Sequence, residues 1–150
     1  MRKKQRIRAV LDTNLFVSGL FAASGTMANL QQLWVAGAFE LVVSEELLQE
    51  ITETLHKPSI QKKLFLQAEE IAEIVSLIRE KAVVVTRDLY QTDRITADPD
   101  DNTLLGCALE ARADFVVSGD NHLLSLKHYH SIQIVDAQTF IKQVTGQKAK

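Results

Sequence analysis

The sequence predicts an α/β protein in which a central, mainly parallel sheet has helices on both faces. Short apolar segments alternate along the chain with segments of helical periodicity. The segment Phe-Val-Val at 115–117 is too apolar for a strand with one face in water, which is typical of a parallel sheet covered on both sides. The chain has 150 residues, a single-domain length. We place the core at about residues 6–144, between a short basic N-terminus and a polar C-terminal tail.

Composition and charge exclude several classes of protein. Hydrophobic residues make up 46% of the chain and charged residues 24%, which is ordinary for a globular domain. The formal net charge of −2 excludes a generally basic nucleic-acid binder but allows a local basic face. The single cysteine, Cys107, excludes an internal disulfide and suits a reducing compartment. Because no run of about 18 apolar residues is present, we expect a soluble cytoplasmic protein with no membrane partner.

The first half of the chain is predicted to contain three strands with helices between them. The first strand, residues 7–11, ends at Asp12. Ser44 is the expected N-cap of a helix that runs to residue 56 and is ended by the Lys57-Pro58 junction. The other elements in this half are a turn or short helix at 15–23, a helix at 27–35, strands at 39–43 and 82–85, and helices at 60–65 and 68–78.

The second half begins with a polar, irregular stretch and then a well-marked helix start. Asp98 precedes Pro99 in the first helical position, and Asp100 and Asp101 lie in the first turn, where the helix dipole favours acids. The later elements are a strand at 115–117, a short helix or turn at 122–128, a strand at 131–135 and a helix capped by Asp136 that runs through residue 144.

Helical periodicity separates acids that face inward from acids that face water. The apolar stripe of the helix after Asp98 consists of Leu104, Leu105, Ala108 and Leu109. Asp101 lies on this stripe one turn earlier, whereas Asp100 lies on its flank. In the helix after Ser44, Glu46 and Glu53 lie opposite the apolar stripe, but Glu50 lies at its edge in mid-helix, where the dipole does not explain it. We therefore expect Asp101 and Glu50 to point toward a shared cleft.

Two further acids follow predicted parallel strands. Asp12 ends the first strand, and Asp120 lies just past the strand at 115–117. Ligands bind at this carboxyl edge in open α/β sheets, although a turn-forming role is the alternative explanation for Asp12. If Asp12, Asp120, Asp101 and Glu50 converge, their mutual repulsion demands a cation, and carboxylate oxygens favour Mg²⁺ or Mn²⁺ over zinc. Such ions can activate water for phosphodiester hydrolysis.

Resemblance to a known family is carried by four segments of the chain, which are LDTN at 11–14, SEELLQEI at 44–51, DPDDNTLLGCALEARADFVVSGDNHLL at 98–124 and IQIVDAQTFI at 132–141. They resemble the PIN domain, and within it the branch of toxin components of toxin–antitoxin systems. The resemblance implies a PIN-like three-layer sandwich and a metal-dependent endoribonuclease selective for single-stranded RNA. By position, catalytic and metal-binding roles fall on Asp12, Glu50, Asp101 and Asp120. Thr13 or Asn14, and Ser118, occupy positions that orient the carboxylates or a water.

The resemblance also implies partners. These are a single-stranded RNA substrate, an antitoxin protein that blocks the cleft and a second copy of the chain in a homodimer. Candidate contacts to the RNA backbone are Lys57, Arg87, Arg94 and Lys127.

Other functions remain open at this point. One is a module that binds RNA or metal without cleaving, for which substituted acids would be the expected sign. Another is a structure-specific DNA nuclease, for which the chain lacks room for extra duplex-binding elements. A haloacid-dehalogenase-type phosphatase would need a second Asp at the position of Asn14, and a receiver domain would need a late Lys and an acid pair that we do not find.

Overall fold

The computed structural model describes residues 6–85 and 99–146. Its strands are β1 (Arg8–Leu11), β2 (Glu40–Ser44), β3 (Val83–Val85), β4 (Phe115–Val117), β5 (His128–Tyr129) and β6 (Ile132–Val135). Its helices are α1 (Thr13–Leu20), α2 (Thr26–Val35), α3 (Glu45–Leu55), α4 (Pro58–Leu64), α5 (Ala68–Lys81), α6 (Pro99–Ala111), α7 (Asn121–Leu126) and α8 (Ala137–Thr145).

The sheet places β1 and β4 side by side although they are far apart in the sequence. Its strand order is β3-β2-β1-β4-β6-β5. All neighbouring strands are parallel except β5 and β6, which are antiparallel. Leu11 of β1 is in register with Val117 of β4, so the residues that follow these two strands meet at the carboxyl edge. The chain leaves β1 toward β2 and returns on its other side at β4, which makes this pair the topological switch point.

Both faces of the sheet are covered. Consecutive residues of a strand point to opposite faces, and every residue of β4 is buried, as are the last three residues of β1. Helix α6 packs across β1, β2, β3 and β4, while α8 packs against β4 and α2. The Phe140 ring of α8 lies edge-on to Phe39 and Phe115, with centroids 4.9 and 5.3 Å away. The predicted three-layer α/β architecture is therefore confirmed.

Helix starts agree with the expected capping residues. The Ser44 hydroxyl accepts the Leu47 amide at 3.0 Å, and an Asp136 carboxylate oxygen accepts the Thr139 amide at 2.8 Å. The predicted cap Asp98 lies outside the described residues, and α6 is described from Pro99 onward. Cys107 of α6 is buried, and this burial raises the pKa of its thiol to about 12. It is therefore a neutral core residue, as expected.

The edge strand β5 departs from the prediction. The sequence analysis expected a short helix or turn over 122–128, but α7 ends at Leu126 and His128 already belongs to β5. Lys127 has a φ of 63°, which redirects the chain between them. A strand of two residues is too short to show alternation, and its existence depends on antiparallel pairing with β6.

No helix in the described ranges is long and apolar enough to span a membrane.

Candidate active site

Asp12 is fixed at the carboxyl end of β1 through its backbone and both carboxylate oxygens. Its amide donates to the Val117 carbonyl at 2.9 Å, which extends the pairing with β4 by one residue. Oδ1 accepts the Asn14 amide at 3.0 Å, so Asp12 caps α1. Oδ2 accepts the Ser118 hydroxyl at 2.8 Å. The half-buried carboxylate is therefore held in one orientation.

Ser118 connects the ends of β1 and β4. Its side chain is fully buried, and its hydroxyl donates to Asp12 while accepting the Asp120 amide at 3.0 Å. Asp120 caps α7, since its Oδ1 accepts the His122 amide at 2.9 Å. Its Oδ2 makes no hydrogen bond within the described ranges. Asp12 and Asp120 are thus joined through one serine at the switch point of the sheet.

Glu50 reaches the same edge from α3. The Thr13 hydroxyl, buried at the start of α1, donates to Glu50 Oε1 at 2.6 Å. This short distance is typical of a hydroxyl bonded to a carboxylate. Because Thr13 directly follows Asp12, the bond brings the acid of α3 close to the end of β1. Helices α1 and α3 pack against each other, which makes this contact possible.

Asp101 is buried in the first turn of α6, with 4% of its surface exposed. Since α6 connects two parallel strands, its N-terminus lies at the carboxyl edge, where β1 and β4 end. The inward direction predicted for Asp101 from helical phase is confirmed by its burial. The adjacent Asn102 is also buried, which the sequence analysis missed. The available signal was its position one turn before Leu105 and Gly106, which are both buried.

The oxygen donors suit a hard divalent cation. The side chains just described offer carboxylate and hydroxyl oxygens, which Mg²⁺ and Mn²⁺ prefer. Within residues 6–85 and 99–146, no group of three or more His, Cys, Asp and Glu side chains is arranged to hold an ion. Mg²⁺ is commonly bound by one or two carboxylates together with waters. The oxygen chemistry of Asp12 and Asp120 therefore suits such an ion, and a site that contains these two acids or all four stays a prediction.

Capping alone does not account for this arrangement. Asp136 provides the comparison, because it also follows a parallel strand and caps a helix. It is exposed, and in the described part of the chain its carboxylate is bonded to Thr139 alone. This interaction lowers the pKa of Asp136, through the Thr139 backbone first and its side chain second. Asp12 also caps a helix, but its carboxylate accepts the buried Ser118 hydroxyl as well.

The predicted RNA-contacting residues are only partly described. Lys57 is exposed at the start of α4, and Lys127 is exposed directly after α7. Arg87 and Arg94 lie outside the described residues. Contact of any of these side chains with RNA stays a prediction.

Comparison with known proteins identifies the family to which the site relates. The family model of the PIN domain matches residues 8–122, which is more than half of the chain and includes all four predicted acids. The chain is also similar to an uncharacterized protein of Methanocaldococcus jannaschii. The two are 26% identical over 125 residues, which cover 83% of this chain and 78% of the relative.

Proposed function

The chain belongs to the PIN domain family, whose members are typically metal-dependent nucleases, and we propose that it is an endoribonuclease that uses Mg²⁺ or Mn²⁺ to cut single-stranded RNA. The observation that carries the proposal is the hydrogen-bonded unit of Asp12, Ser118 and Asp120 at the end of β1 and β4. We propose further that the protein is the toxin of a toxin–antitoxin pair, that it acts in the cytoplasm and that it forms a homodimer. These finer statements are supported by the resemblance of its motifs.

The mechanism depends on acids that are positioned before the substrate binds. When bound, the ion supplies a water of lowered pKa and stabilises negative charge on the phosphate. Ser118 fixes the spacing of Asp12 and Asp120, and Thr13 fixes Glu50. Asp120 Oδ2, which has no hydrogen bond to the described part of the chain, is the oxygen that we assign as a ligand or proton acceptor. Positioning by buried hydroxyls reduces the reorganisation needed during the reaction.

The presence of all four acids favours cleavage over binding alone. A module that had lost catalysis would be expected to have a substituted acid, but Asp12, Glu50, Asp101 and Asp120 are all carboxylates. Asp101 is buried in the first turn of α6, whose N-terminus lies at the carboxyl edge, and it occupies the position of the third acid in the family that the chain resembles. We therefore assign Asp101 to the ion-binding group.

The first experiment is cleavage of an end-labelled, mixed-sequence single-stranded RNA with Mg²⁺ or Mn²⁺, with and without EDTA. The wild type is compared with Asp12→Asn, and Asp136→Asn is the matched control. Asparagine caps helices about as well as aspartate, so both substitutions keep a cap and remove one charge. We expect metal-dependent cutting by the wild type and by Asp136→Asn, and none by Asp12→Asn.

Two results would contradict the proposal. Cutting that continues in EDTA would contradict the metal dependence. Metal binding without cleavage of any RNA by the wild type would favour the non-cleaving module. Parallel reactions with single-stranded DNA and with a flapped DNA duplex test the DNA-nuclease alternative, which predicts faster cutting of those substrates than of RNA.

The toxin role and the homodimer need separate tests. Induced expression of the wild type should arrest growth, whereas Asp12→Asn should not, because the proposed toxicity requires cleavage. Sedimentation of the purified protein measures its oligomeric state directly. Growth that is unaffected by the active enzyme would contradict the toxin role and leave the ribonuclease proposal intact.

A further inference from the structure

Phe65 has an exposed aromatic ring and a backbone conformation that is unfavourable for phenylalanine. It is 88% exposed, the most exposed large hydrophobic residue in the described ranges. It also has a φ of 55°, in the left-handed region that favours glycine or asparagine. The left-handed backbone conformation is explained by the turn that ends α4. In this turn the amides of Phe65 and Leu66 both donate to the Gln61 carbonyl.

The fold does not require a phenylalanine at this turn. The flanking Leu64 packs against the core and Leu66 is buried, so the turn directs both leucines inward and the residue between them outward. Glycine or asparagine would form the same turn without strain and without exposing an aromatic ring. The ring of Phe65 is therefore best explained by a ligand that it contacts outside the fold.

Three exposed lysines precede Phe65 in the sequence. Lys57 precedes α4, and Lys62 and Lys63 lie in its last turn. The helix dipole favours the last two, but not Lys57 at the other end. Arg79 does not join this group, because both of its terminal nitrogens contact the Glu45 carboxylate at 2.8 Å. The nearest acids along the chain are Glu53 in α3, which accepts the Gln49 side-chain amide, and Glu69 and Glu70 in the first turn of α5, where Glu70 is bonded to the Gln67 amide. We call Lys57, Lys62, Lys63 and Phe65 the Phe65 surface.

We propose that the Phe65 surface binds single-stranded RNA outside the cleavage site, with Phe65 stacking on one base and the lysines contacting phosphates. This inference rests on the proposed ribonuclease function. Exposed aromatic rings combined with cations are how proteins bind single strands without reading their sequence. The surface also supplies the local positive charge that a chain with net charge −2 needs in order to hold RNA near its acids.

The surface continues the helix that carries Glu50. Glu50 lies five residues before the end of α3 at Leu55, about 8 Å along the helix axis, and Lys57 follows two residues after that end. Helix α4, which leads from Lys57 to Phe65, has seven residues and is about 10 Å long. An RNA strand cut near Glu50 could extend along α3 and α4 to reach the ring. Short fragments would end before it, so Phe65 should affect long substrates only.

The test measures RNA binding by full-length protein carrying Asp12→Asn, which prevents cleavage. The probe is a fluorescently labelled, mixed-sequence single-stranded RNA in the presence of Mg²⁺. We compare Phe65→Asn with Phe21→Ala, which removes another exposed phenylalanine far from α4 in the sequence. Phe65→Asn should weaken RNA binding roughly tenfold, the size of one base–aromatic stack, and Phe21→Ala should not change it. Because asparagine suits the left-handed turn, Phe65→Asn should be at least as stable as its parent.

Two further variants identify the contacts. Phe65→Trp should keep the affinity, and its fluorescence should be quenched by RNA, whereas the native Trp34 is buried. Replacing Lys62 with alanine should reduce the slope of log affinity against log salt by about 0.7, as expected for one lost phosphate contact on a single strand. In the cleaving protein, Phe65→Asn should raise KM for long RNA and leave kcat nearly unchanged.

The outcomes separate this inference from the function on which it rests. If the Asp12→Asn protein binds no RNA, the Phe65 surface is overturned, while cleavage by the wild type still decides the proposed ribonuclease function. If it binds RNA and Phe65→Asn binds equally well, only the Phe65 surface is overturned. If Phe65→Asn instead changes the sedimentation of the protein and leaves RNA affinity intact, the ring belongs to a protein interface and the inference is wrong.

Discussion

At the amino edge of the sheet, Glu40 is bonded to the Arg8 side chain, whereas Asp12 and Asp120, at the carboxyl edge, are bonded to hydroxyl and amide groups. Arg8 Nε lies 2.9 Å from Glu40 Oε1, and the Arg8 amide donates to Asp114 Oδ2 at 2.9 Å. In the described part of the chain, Asp12 and Asp120 have no bond to a Lys or Arg side chain. The Arg8 side chain therefore neutralises Glu40, while Asp114 receives only a neutral amide, and the carboxyl edge orients its acids and leaves their charge.

This difference makes Glu40 a poorer ligand for a cation than Asp12 or Asp120. Hydroxyls and backbone amides are neutral donors, so they fix a carboxylate without cancelling its charge. An arginine does both, and a carboxylate that it neutralises attracts a divalent cation weakly. The burial of Ser118 and Thr13 also limits water at the carboxyl edge, where electrostatic attraction is consequently stronger. The following substitutions test whether charge or geometry matters at each edge.

The largest effect is expected from one substitution made at both edges. Glu50→Gln should reduce cleavage by more than about 100-fold, because glutamine still accepts the Thr13 hydroxyl but lacks the charge. Glu40→Gln should leave cleavage unchanged, and its loss of a half-exposed ion pair should cost at most about 1 kcal/mol of stability. The rate of RNA cleavage measures the effect of each variant on activity, and urea unfolding measures its effect on stability. Equal losses of activity would contradict the distinction between the edges.

Ser118→Ala tests the connection between Asp12 and Asp120. It removes the hydroxyl that orients both residues, and we expect cleavage to fall about 10- to 100-fold, as for loss of a group that orients a metal ligand. Stability should fall by about 1–3 kcal/mol, because the Asp120 amide loses its acceptor.

Ser44→Ala is the matched control for this prediction. Ser44 is the last residue of the parallel strand β2, and its hydroxyl also accepts a backbone amide, that of Leu47. Loss of the Ser44 hydroxyl should lower the stability of the protein by about 1 kcal/mol and leave the rate of cleavage unchanged. If Ser44→Ala reduces kcat as much as Ser118→Ala does, the effect of Ser118 is one of stability and not of orientation.

Local patterns were sufficient to predict the positions of the acids. Asp12 and Asp120 follow strands that are mostly apolar, and the inward direction of Asp101 follows from the spacing of Leu104 and Leu105 in one helix. These features depend on residues close together in the sequence. The same is true of the Ser44 and Asp136 caps, which the structure confirms.

Contacts between distant elements could not be predicted in this way. The bond from Thr13 to Glu50 joins residues 37 positions apart and depends on how α1 packs against α3. The bond from Ser118 to Asp12 spans 106 positions and requires β1 and β4 to be neighbours in register. Strand β5 and the turn at Phe65 likewise depend on strand pairing and packing, which cannot be predicted from short-range periodicity in the sequence.

Asp114→Ala should have a moderate effect, on stability alone. It removes the acceptor of the Arg8 amide at the start of β1, which should cost about 1 kcal/mol. For a chain of this length, that corresponds to a Tm lower by about 2–4 °C. Calorimetry measures the shift, and RNA cleavage measured well below Tm should equal that of the wild type. A change in kcat would mean that the amino edge influences the site and that the two edges are not independent.

The smallest effect is expected from Asp136→Asn, measured as a function of pH. The Thr139 hydrogen bonds lower the pKa of Asp136 below its ordinary value of 3.8 in the folded state. Its charge therefore contributes stability above that ordinary value, and the contribution is lost as pH falls through the folded pKa. Urea unfolding should show the wild type slightly more stable than Asp136→Asn at neutral pH and equal to it in strong acid. A pH-independent difference would contradict this assignment.

Cleavage by Asp136→Asn tests the carboxyl edge itself, because Asp136 follows β6 at the same edge as Asp12. Unchanged cleavage would mean that a position at this edge is not sufficient to make an acid catalytic, and that the bond to Ser118 distinguishes Asp12.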